Sequence, residues 1–282
     1  MEINWYPGHM TKSVRMMQED VKLVDLVIEL ADARIPVSSR NPDISALSPG
    51  KSRLLVLNKA DLSDETENRR WMAYYKASSL PAVFMDARER SDAKALLPLA
   101  LEACREKIEK DKKRGMKERP IRAMIAGIPN VGKSTFINSF SGKAMARTGN
   151  RPGVTRGKQW IRIGGRLELM DTPGILWPKL GSPQTGENLA LIGSINEDIL
   201  NEEELAVCLI RKLCAKYPGR LAERYHIAET DEPFNILLEA GKKRGCLVKG
   251  GEVDTARTSG ILLEEFRQGK LGRITLESPE EI

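Results

Sequence analysis

The chain has 282 residues, of which 41% are hydrophobic and 30% are charged, a composition typical of globular domains and not of disordered or fibrous chains. No apolar run approaches the roughly 18 residues that a membrane-spanning helix needs, and residues 1–10 lack the basic and apolar regions of a signal peptide. Four cysteines in a chain of this length argue against a disulfide scaffold. We therefore expect a cytoplasmic protein that has no membrane partner.

Positive charge is concentrated in one part of the sequence. The net charge is +6, and residues 101–160 contain 15 Lys and Arg against 5 Asp and Glu. Residues 179–282 contain 14 Lys and Arg against 18 Asp and Glu. A local excess of this kind indicates a polyanionic partner, although a solvated helix face would have the same composition.

In the first two thirds of the chain, short apolar runs alternate with helix-like periodicity, which predicts a mostly parallel sheet covered by helices. Residues 179–187 have the composition of a linker, and the sequence after them is helical in pattern. The predicted fold is α/β, with one domain at residues 1–178 and a smaller all-helical domain at 179–282. The predicted strands are Leu23–Leu30, Arg53–Leu57, Ala82–Asp86, Ile121–Ala126, Gln159–Ile163 and Arg166–Met170. The predicted helices are Thr11–Lys22, Glu65–Ala77, Asp92–Arg114, Lys133–Phe140, Asn188–Leu200, Glu202–Lys216, Phe234–Lys243 and Asp254–Gln268.

The strongest motif is GIPNVGKS at residues 127–134, which matches the pattern GxxxxGK[ST]. It follows a predicted strand and opens a predicted helix, so its backbone N–H groups can surround phosphate oxygens at a helix N-terminus. In such a phosphate-binding loop (P-loop), Lys133 should reach the β- and γ-phosphates and Ser134 should bind Mg²⁺. The residues that we expect to bind the nucleotide here are Asn130, Val131, Gly132, Lys133, Ser134 and Thr135.

A second motif, DTPG at residues 171–174, follows the last predicted strand. Asp171 can hold Mg²⁺ through water, and the Gly174 N–H can bind the γ-phosphate and thereby sense its presence. Between these two motifs, Thr155 lies in a loop rich in Gly, Arg and Thr. It is the residue expected to close over Mg²⁺ when a triphosphate is bound.

A third motif, NKAD at residues 58–61, follows a predicted strand near the start of the chain. The Asp61 carboxylate can accept hydrogen bonds from N1–H and N2–H₂ of guanine, a donor pair that adenine lacks. Asn58 can reach the N7 and O6 side of the base, and the Lys59 stem can pack over its plane. Together the three motifs predict a protein that binds GTP and GDP.

The order of the motifs is unusual, because NKAD precedes the P-loop and DTPG comes last. With WYPGHM at 5–10, DARIP at 32–36 and PGVT at 152–155, the chain closely resembles the YlqF/RbgA subfamily of circularly permuted bacterial GTPases over essentially its whole length. The resemblance implies a circularly permuted P-loop GTPase domain, an RNA-binding-type C-terminal domain, and GTP hydrolysis during late assembly of the large ribosomal subunit.

The resemblance also concerns three residues whose side chains carry less specific signals. Other GTPases usually have Ser-Ala behind the guanine, and the corresponding residues here are Asp86 and Ala87. Asn130 resembles the asparagine of GTPases that bind K⁺ beside the phosphates. Alternatively, Asn130 only fits the turn of the loop.

The permutation indicates a catalytic role for His9. The residue after Gly174 is Ile175, which cannot orient a water molecule as the usual glutamine does. Because the permutation cuts the chain inside the segment after DTPG, the residues just before Thr11 should return to the γ-phosphate. We expect His9, with Lys133 and Thr155, to be catalytic, and the resemblance also implies this role for His9. Alternatively, His9 is a structural residue that caps the helix.

The motifs predict a GTPase, and the resemblance implies that its partner and activator is the precursor of the large ribosomal subunit with its rRNA. We expect the protein to be monomeric. Two alternatives share the nucleotide motifs: a GTPase that aids an RNA-modification enzyme, and a GTP-binding scaffold with negligible turnover, which Ile175 would allow. Basic residues between 105 and 158 would face rRNA phosphates. They include Lys110, Lys112, Lys113, Arg114, Lys117, Arg119 and Arg122.

Overall fold

A computed structural model of the chain describes residues 9–141, 160–172, 174, 182–195, 201–229 and 232–282, with only the backbone described at 9–14, 90, 91, 93 and 141. Within these ranges, no helix is both long and apolar enough to span a membrane. The strands are β1 (Leu26–Asp32), β2 (Ser52–Asn58), β3 (Ala82–Phe84), β4 (Ile121–Gly127), β5 (Trp160–Ile163) and β6 (Leu167–Asp171). The helices are α1 (His9–Val21), α2 (Asp43–Leu47), α3 (Glu65–Ala77), α4 (Arg90–Ala103), α5 (Arg105–Lys113), α6 (Lys133–Ser141), α7 (Pro183–Leu191), α8 (Glu202–Lys216), α9 (Arg220–Tyr225), α10 (Pro233–Lys243) and α11 (Thr255–Arg267).

The strands form one sheet in the order β3-β2-β1-β4-β6-β5. Neighbouring strands are parallel except β5 and β6, which form an antiparallel hairpin. This hairpin turns at Gly164 and Gly165, whose φ angles of 55° and 68° glycine adopts without steric cost. The mostly parallel sheet is as predicted. The strand before the P-loop, β4, lies between β1 and β6. The sheet is therefore complete even though the chain enters it at β1, as a circular permutation requires.

Helices cover both faces of the sheet, and the apolar side chains of β1 point to both of them. Leu26 and Ile28 belong to the large core that also includes residues of α4, α6 and the C-terminal helices. Val27 packs with α1 and α2 on the opposite face, and Ala31 packs there with Trp71 and neighbouring residues of α3. Burial on both faces explains why β1 is apolar at consecutive positions, apart from the buried Glu29 and Asp32, instead of alternating between apolar and polar residues.

Two predicted helices differ from the observed ones. The predicted helix Asp92–Arg114 breaks at Cys104, whose side chain is buried in the core at φ −101° and ψ 9°. The predicted helix Asn188–Leu200 starts too late and is interrupted, because α7 begins after its cap residue Ser182 and ends before Gly193, whose φ is 72°. Residues 196–200 of that prediction lie outside the described residues. Left-handed glycines commonly end helices.

The residues after α11 cross back over the segments that follow β1 and β2. The N–H of Ile274 donates to the Leu62 carbonyl at 2.9 Å, and the N–H of Leu276 donates to the Arg34 carbonyl at 2.8 Å. Nε1 of Trp71 donates to the Glu277 carbonyl at 3.1 Å. The helical C-terminal part is therefore in direct contact with the sheet part, and the domain boundary at residue 178 remains a prediction.

Candidate functional site

The carboxyl ends of neighbouring strands meet at one edge of the sheet and carry the predicted motifs. The register pairs Asp32 of β1 with Asn58 of β2, and Ile125 of β4 with Asp171 of β6. Strand β4, which lies between β1 and β6, ends at Gly127. In open α/β sheets, ligands bind outside this edge. The fold therefore brings the P-loop, NKAD and DTPG segments together although they are far apart in the sequence.

The P-loop backbone has the conformation of an anion-binding turn. Asn130 and Gly132 have φ angles of 61° and 95°, and a Cβ atom on Gly132 would lie 2.5 Å from Nδ2 of Asn58. Helix α6 begins where the loop ends, with Ser134 and Thr135 in its first turn. Alternating backbone conformations that end at a helix N-terminus direct N–H groups toward a common point, which fits a phosphate group.

Lys133 is buried at the centre of this loop and is only 9% exposed. Its Nζ donates to the carbonyl oxygens of Gly127 at 3.1 Å and Ile128 at 2.5 Å. Burial lowers the pKa of Lys133 to about 8, and the charge of the Asp171 carboxylate opposes this shift. A buried ammonium group that is held by neutral carbonyls is an electrostatic match for an anion.

We expect nucleotide affinity to fall as the pH rises through about 8, because Lys133 of the free protein loses its proton near that pH. Bound phosphate favours the charged ammonium group, so GDP binding at pH 9 should take up a proton that binding at pH 7 does not. Calorimetric titration in two buffers of different ionisation enthalpy measures this uptake. Equal proton uptake at pH 7 and pH 9 would contradict the prediction that Lys133 binds the phosphates.

The DTPG segment reaches the P-loop through Gly174. A Cβ atom on Gly174 would lie 2.8 Å from Nζ of Lys133 and 3.0 Å from the backbone nitrogen of Pro129. Burial raises the pKa of Asp171, and the Lys133 charge opposes the shift. The Thr172 hydroxyl donates to a backbone carbonyl of β4. This segment therefore packs directly on the loop that is expected to hold the phosphates, and a larger residue at position 174 would require Lys133 and Pro129 to shift.

Asn58 of the NKAD segment braces two other parts of the site. Its Nδ2 donates to the Val131 carbonyl at 2.8 Å, and its Oδ1 accepts from the N–H of Ala87 at 2.9 Å. The side chain is also buried. Asn58 thus fixes the P-loop relative to the segment expected behind the base, whereas its contact with the base itself remains a prediction.

Asp32 and Arg34 of the DARIP segment form an ion-pair network that the motif analysis did not predict. The Asp32 carboxylate is completely buried and accepts from Nε and Nη2 of Arg34 at 2.9 and 2.8 Å. Nζ of Lys59 lies 3.0 Å from Asp32 Oδ2 and donates to the Asn130 carbonyl at 2.9 Å. Although burial opposes ionisation, the charges of Arg34 and Lys59 hold the pKa of Asp32 well below its usual range. The network ties β1 to the P-loop.

The expected base pocket contains a second group of charges. Asp61 and Asp86 both bind the guanidinium group of Arg88, with Nη2 of Arg88 2.5 Å from Asp61 Oδ2 and 2.9 Å from Asp86 Oδ2. The hydrogen bond from Arg88 lowers the pKa of Asp86, and burial opposes this effect. Asp61, Asp86 and Ala87 are predicted from the sequence, whereas Arg88 is not, since a basic residue next to a motif is not in itself a signal.

The C-terminal part contacts the P-loop directly. Nδ2 of Asn130 donates to the Gly193 carbonyl at 2.6 Å, and the Ser194 hydroxyl donates to the Pro129 carbonyl at 3.0 Å. Arg267 at the end of α11 donates to two carbonyls at the end of α7, each at 3.0 Å. Because sequence periodicity placed the end of α7 incorrectly, these contacts could not be predicted.

Two of the predicted catalytic residues cannot be located in the site. His9 is the first residue of α1, and its side chain lies outside the described residues. Thr155 lies outside them entirely, as does Ile175. Their roles remain predictions from the sequence.

Exposed basic side chains lie at the opposite edge of the sheet, before the amino end of β4. Three of the seven basic residues predicted above to contact RNA form ion pairs. The pairs are Lys110 with Glu106, Arg119 with Asp25, and Arg122 with Glu168. The other four are exposed and have no ion pair in the described part of the chain, and we call them the basic surface. They are Lys112, Lys113, Arg114 and Lys117.

Comparison with known proteins gives consistent matches. A model of the family described as 50S ribosome-binding GTPase matches residues 122–243. Ribosome biogenesis GTPase A of Bacillus cereus is 47% identical over 282 residues, covering 100% of this chain and 95% of that protein. The protein of the same name from Thermotoga maritima is 30% identical, covering 99% and 96%. A GNP-bound structure of YlqF from T. maritima matches with a TM-score of 0.68 at 26% identity, covering 96% of this chain and 100% of that one.

Proposed function

The chain belongs to the ribosome biogenesis GTPase A family and is a GTPase, and we propose that it acts in the cytoplasm as an assembly factor for the large ribosomal subunit. The observation that supports this proposal is that the parallel strands β2 and β4 end at the same edge of the sheet, where β4 leads into the P-loop with the buried Lys133 and β2 leads into the NKAD segment with Asp61. The relatives are named for ribosome biogenesis, which supports a ribosomal partner for this chain. We propose that this partner is the precursor particle with its rRNA, and that the protein binds it as a monomer.

The residues present fit GTP and Mg²⁺. Lys133 would bind the β- and γ-phosphates, and the Gly174 N–H would bind the γ-phosphate where this residue packs against Lys133 and Pro129. Ser134 and Thr155 would hold Mg²⁺, with Asp171 acting through water. The metal ion supplies charge neutralisation at the β- and γ-phosphates when it is bound.

His9 would orient the attacking water, since Ile175 cannot do so. Asn130 would hold K⁺ through its side-chain oxygen, and this ion would supply the positive charge that an arginine finger supplies in other GTPases. The hydrogen bond from Nδ2 of Asn130 to Gly193 supports this role, because it fixes the orientation of the amide group. The same bond also supports the alternative that Asn130 only stabilises the turn.

The contacts between the P-loop and the turn at Gly193 and Ser194 support a coupling of nucleotide state to the C-terminal part. A change in the P-loop on loss of the γ-phosphate would alter these two hydrogen bonds and thereby the position of α7. A particle that contacts both the basic surface and the C-terminal helices would then distinguish GTP from GDP. By linkage, the particle would favour GTP binding by the same factor.

Co-sedimentation with large-subunit precursor particles tests this function. Affinity should be about 5- to 150-fold higher with a non-hydrolysable GTP analogue than with GDP. Replacing Lys112, Lys113 and Arg114 with alanine should reduce the slope of log K against log salt by about 2 to 3. The matched control replaces Arg69, Lys76 and Lys94, which are exposed on α3 and α4 outside both the basic surface and the C-terminal helices, and should leave the slope unchanged.

Equal affinities in the two nucleotide states would contradict the coupling. An unchanged salt slope would show that the RNA contact lies elsewhere. Hydrolysis that stays negligible with saturating particles would favour a GTP-binding scaffold over an enzyme that the particle activates.

A further inference from the structure

Arg88 is shared between the two carboxylates of the expected base pocket. Its Nε lies 3.0 Å from Asp86 Oδ1, and its Nη2 lies 2.9 Å from Asp86 Oδ2. The same Nη2 donates to Asp61 Oδ2 at 2.5 Å. Oδ1 of Asp61 is buried and has no hydrogen-bond partner among the residues that the structure describes.

The Arg88 guanidinium group and the edge of guanine present the same kind of donor to Asp61. Guanine offers N1–H and N2–H₂ side by side, and a guanidinium group offers paired N–H donors in one plane. A carboxylate that binds guanine needs both of its oxygens, whereas Arg88 uses only one of them and leaves the other unsatisfied. The base would therefore satisfy Asp61 more completely than Arg88 does, but it must first displace Arg88.

We propose that Arg88 is a built-in competitor of guanine for Asp61, and that it promotes the release and exchange of nucleotide. This inference rests on the proposed role of Asp61 in reading the base. In the nucleotide-free protein, Arg88 neutralises Asp61 and stabilises the empty pocket. When the base is bound, the guanidinium group of Arg88 remains next to it, and it binds Asp61 again as the base dissociates.

Asp86 holds Arg88 close to the pocket during this exchange. It binds the Arg88 side chain through Nε and Nη2 and also accepts from the Arg88 backbone N–H at 2.9 Å. The backbone N–H of Asp86 in turn donates to Asp92 Oδ2 at 2.8 Å. Arg88 can thus leave Asp61 while keeping its bonds to Asp86, and its 64% exposed side chain has room to rotate. The like charges of Asp61 and Asp86 favour its return.

If Arg88 competes with guanine, its removal should change nucleotide affinity in the direction opposite to the one expected from its positive charge alone. Removal of a positive side chain near the site would ordinarily weaken the binding of an anionic nucleotide. Removal of a competitor strengthens it, and because the competition is at the base, GTP and GDP should be affected equally. The sign of the change therefore separates the two explanations.

Stopped-flow binding of ribose-labelled fluorescent GDP and GTP to the full chain tests the proposal. Arg88→Ala should tighten both nucleotides by about two- to fivefold, as expected for loss of an exposed ion pair, with slower dissociation. Arg69→Ala is the matched control, because Arg69 is a similarly exposed arginine on α3 that pairs with Glu65, and it should change neither affinity.

Weaker or unchanged binding in Arg88→Ala would overturn the proposal. A second test uses the Asp61→Asn background with xanthosine diphosphate, where the neutral amide no longer attracts Arg88 strongly. In that background, adding Arg88→Ala should change the affinity for xanthosine diphosphate less than twofold. If Arg88→Ala tightens binding there as much as it does in the wild-type background, Arg88 does not act through Asp61. If Asp61→Asn itself leaves GTP affinity intact, the proposed base site is wrong; if only the Arg88 variant fails, the base site stands.

Discussion

Replacing His9 with alanine is expected to lower kcat for particle-stimulated GTP hydrolysis by about 100-fold or more, with little change in the Kd for GTP. The reason is that His9 is expected to act on the attacking water and not on the bound nucleotide. An orienting group stabilises the transition state more than the ground state, so its loss appears in kcat. Single-turnover hydrolysis and equilibrium nucleotide binding measure the two quantities separately.

The matched control for this experiment is His226→Ala. His226 is the other histidine of the chain and lies exposed at the end of α9 with φ 55°, away from the P-loop. It should leave kcat unchanged. Stimulated hydrolysis that survives in His9→Ala, together with a lower melting temperature, would assign His9 to the cap of α1 instead.

Asp61→Asn is expected to weaken GTP binding by about 100-fold and to create affinity for xanthosine triphosphate. The substitution removes two charge-assisted hydrogen bonds to guanine, each contributing about 1.5 kcal/mol. The asparagine N–H can instead donate to the 2-oxo group of xanthine. Competition between the two nucleotides for one fluorescent probe measures the exchange of preference.

Asp64→Asn is the control for the Asp61 variant. Asp64 caps α3 by accepting from the N–H groups of Thr66 and Glu67, and asparagine is an equally good cap. This variant should keep its preference for guanine. Unchanged GTP affinity in Asp61→Asn would disprove the NKAD assignment, and a shared loss in both variants would indicate damage to the fold.

Most of the sheet was predictable, because its signals are local. The motif GIPNVGKS follows an apolar run and opens a helix in the sequence, and the same succession of β4, loop and α6 is observed. Glu65–Ala77 was predicted with the observed limits, since Asp64 provides a strong cap before an amphipathic segment. Strand β1 begins three residues later than predicted, because Leu23 belongs to the turn after α1, where its N–H donates to the Asp20 carbonyl.

The contacts that complete the candidate site were not predictable, because they join residues that are distant in the sequence. Arg88 binds Asp61 across 27 positions, and Asn130 binds Gly193 across 63. Which donor reaches which acceptor is decided by packing of the helices on the sheet and not by local propensity. The helix break at Cys104 has the same origin, since burial of that side chain overrides the continuous helical pattern around it.

The crossing of residues 273–277 over the segments that follow β1 and β2 has a consequence for when the site can form. Arg273 donates to the carbonyls of Ala60 and Ser63, so the segment that presents Asp61 is supported by residues translated about 200 positions later. At about 5 to 20 residues per second, translation needs roughly 10 to 40 s to cover that distance. A nascent chain therefore carries its P-loop well before the expected guanine pocket is supported. If Asp61 reads the base as proposed, guanine-specific binding is complete only after residue 277 has left the ribosome that is making the chain.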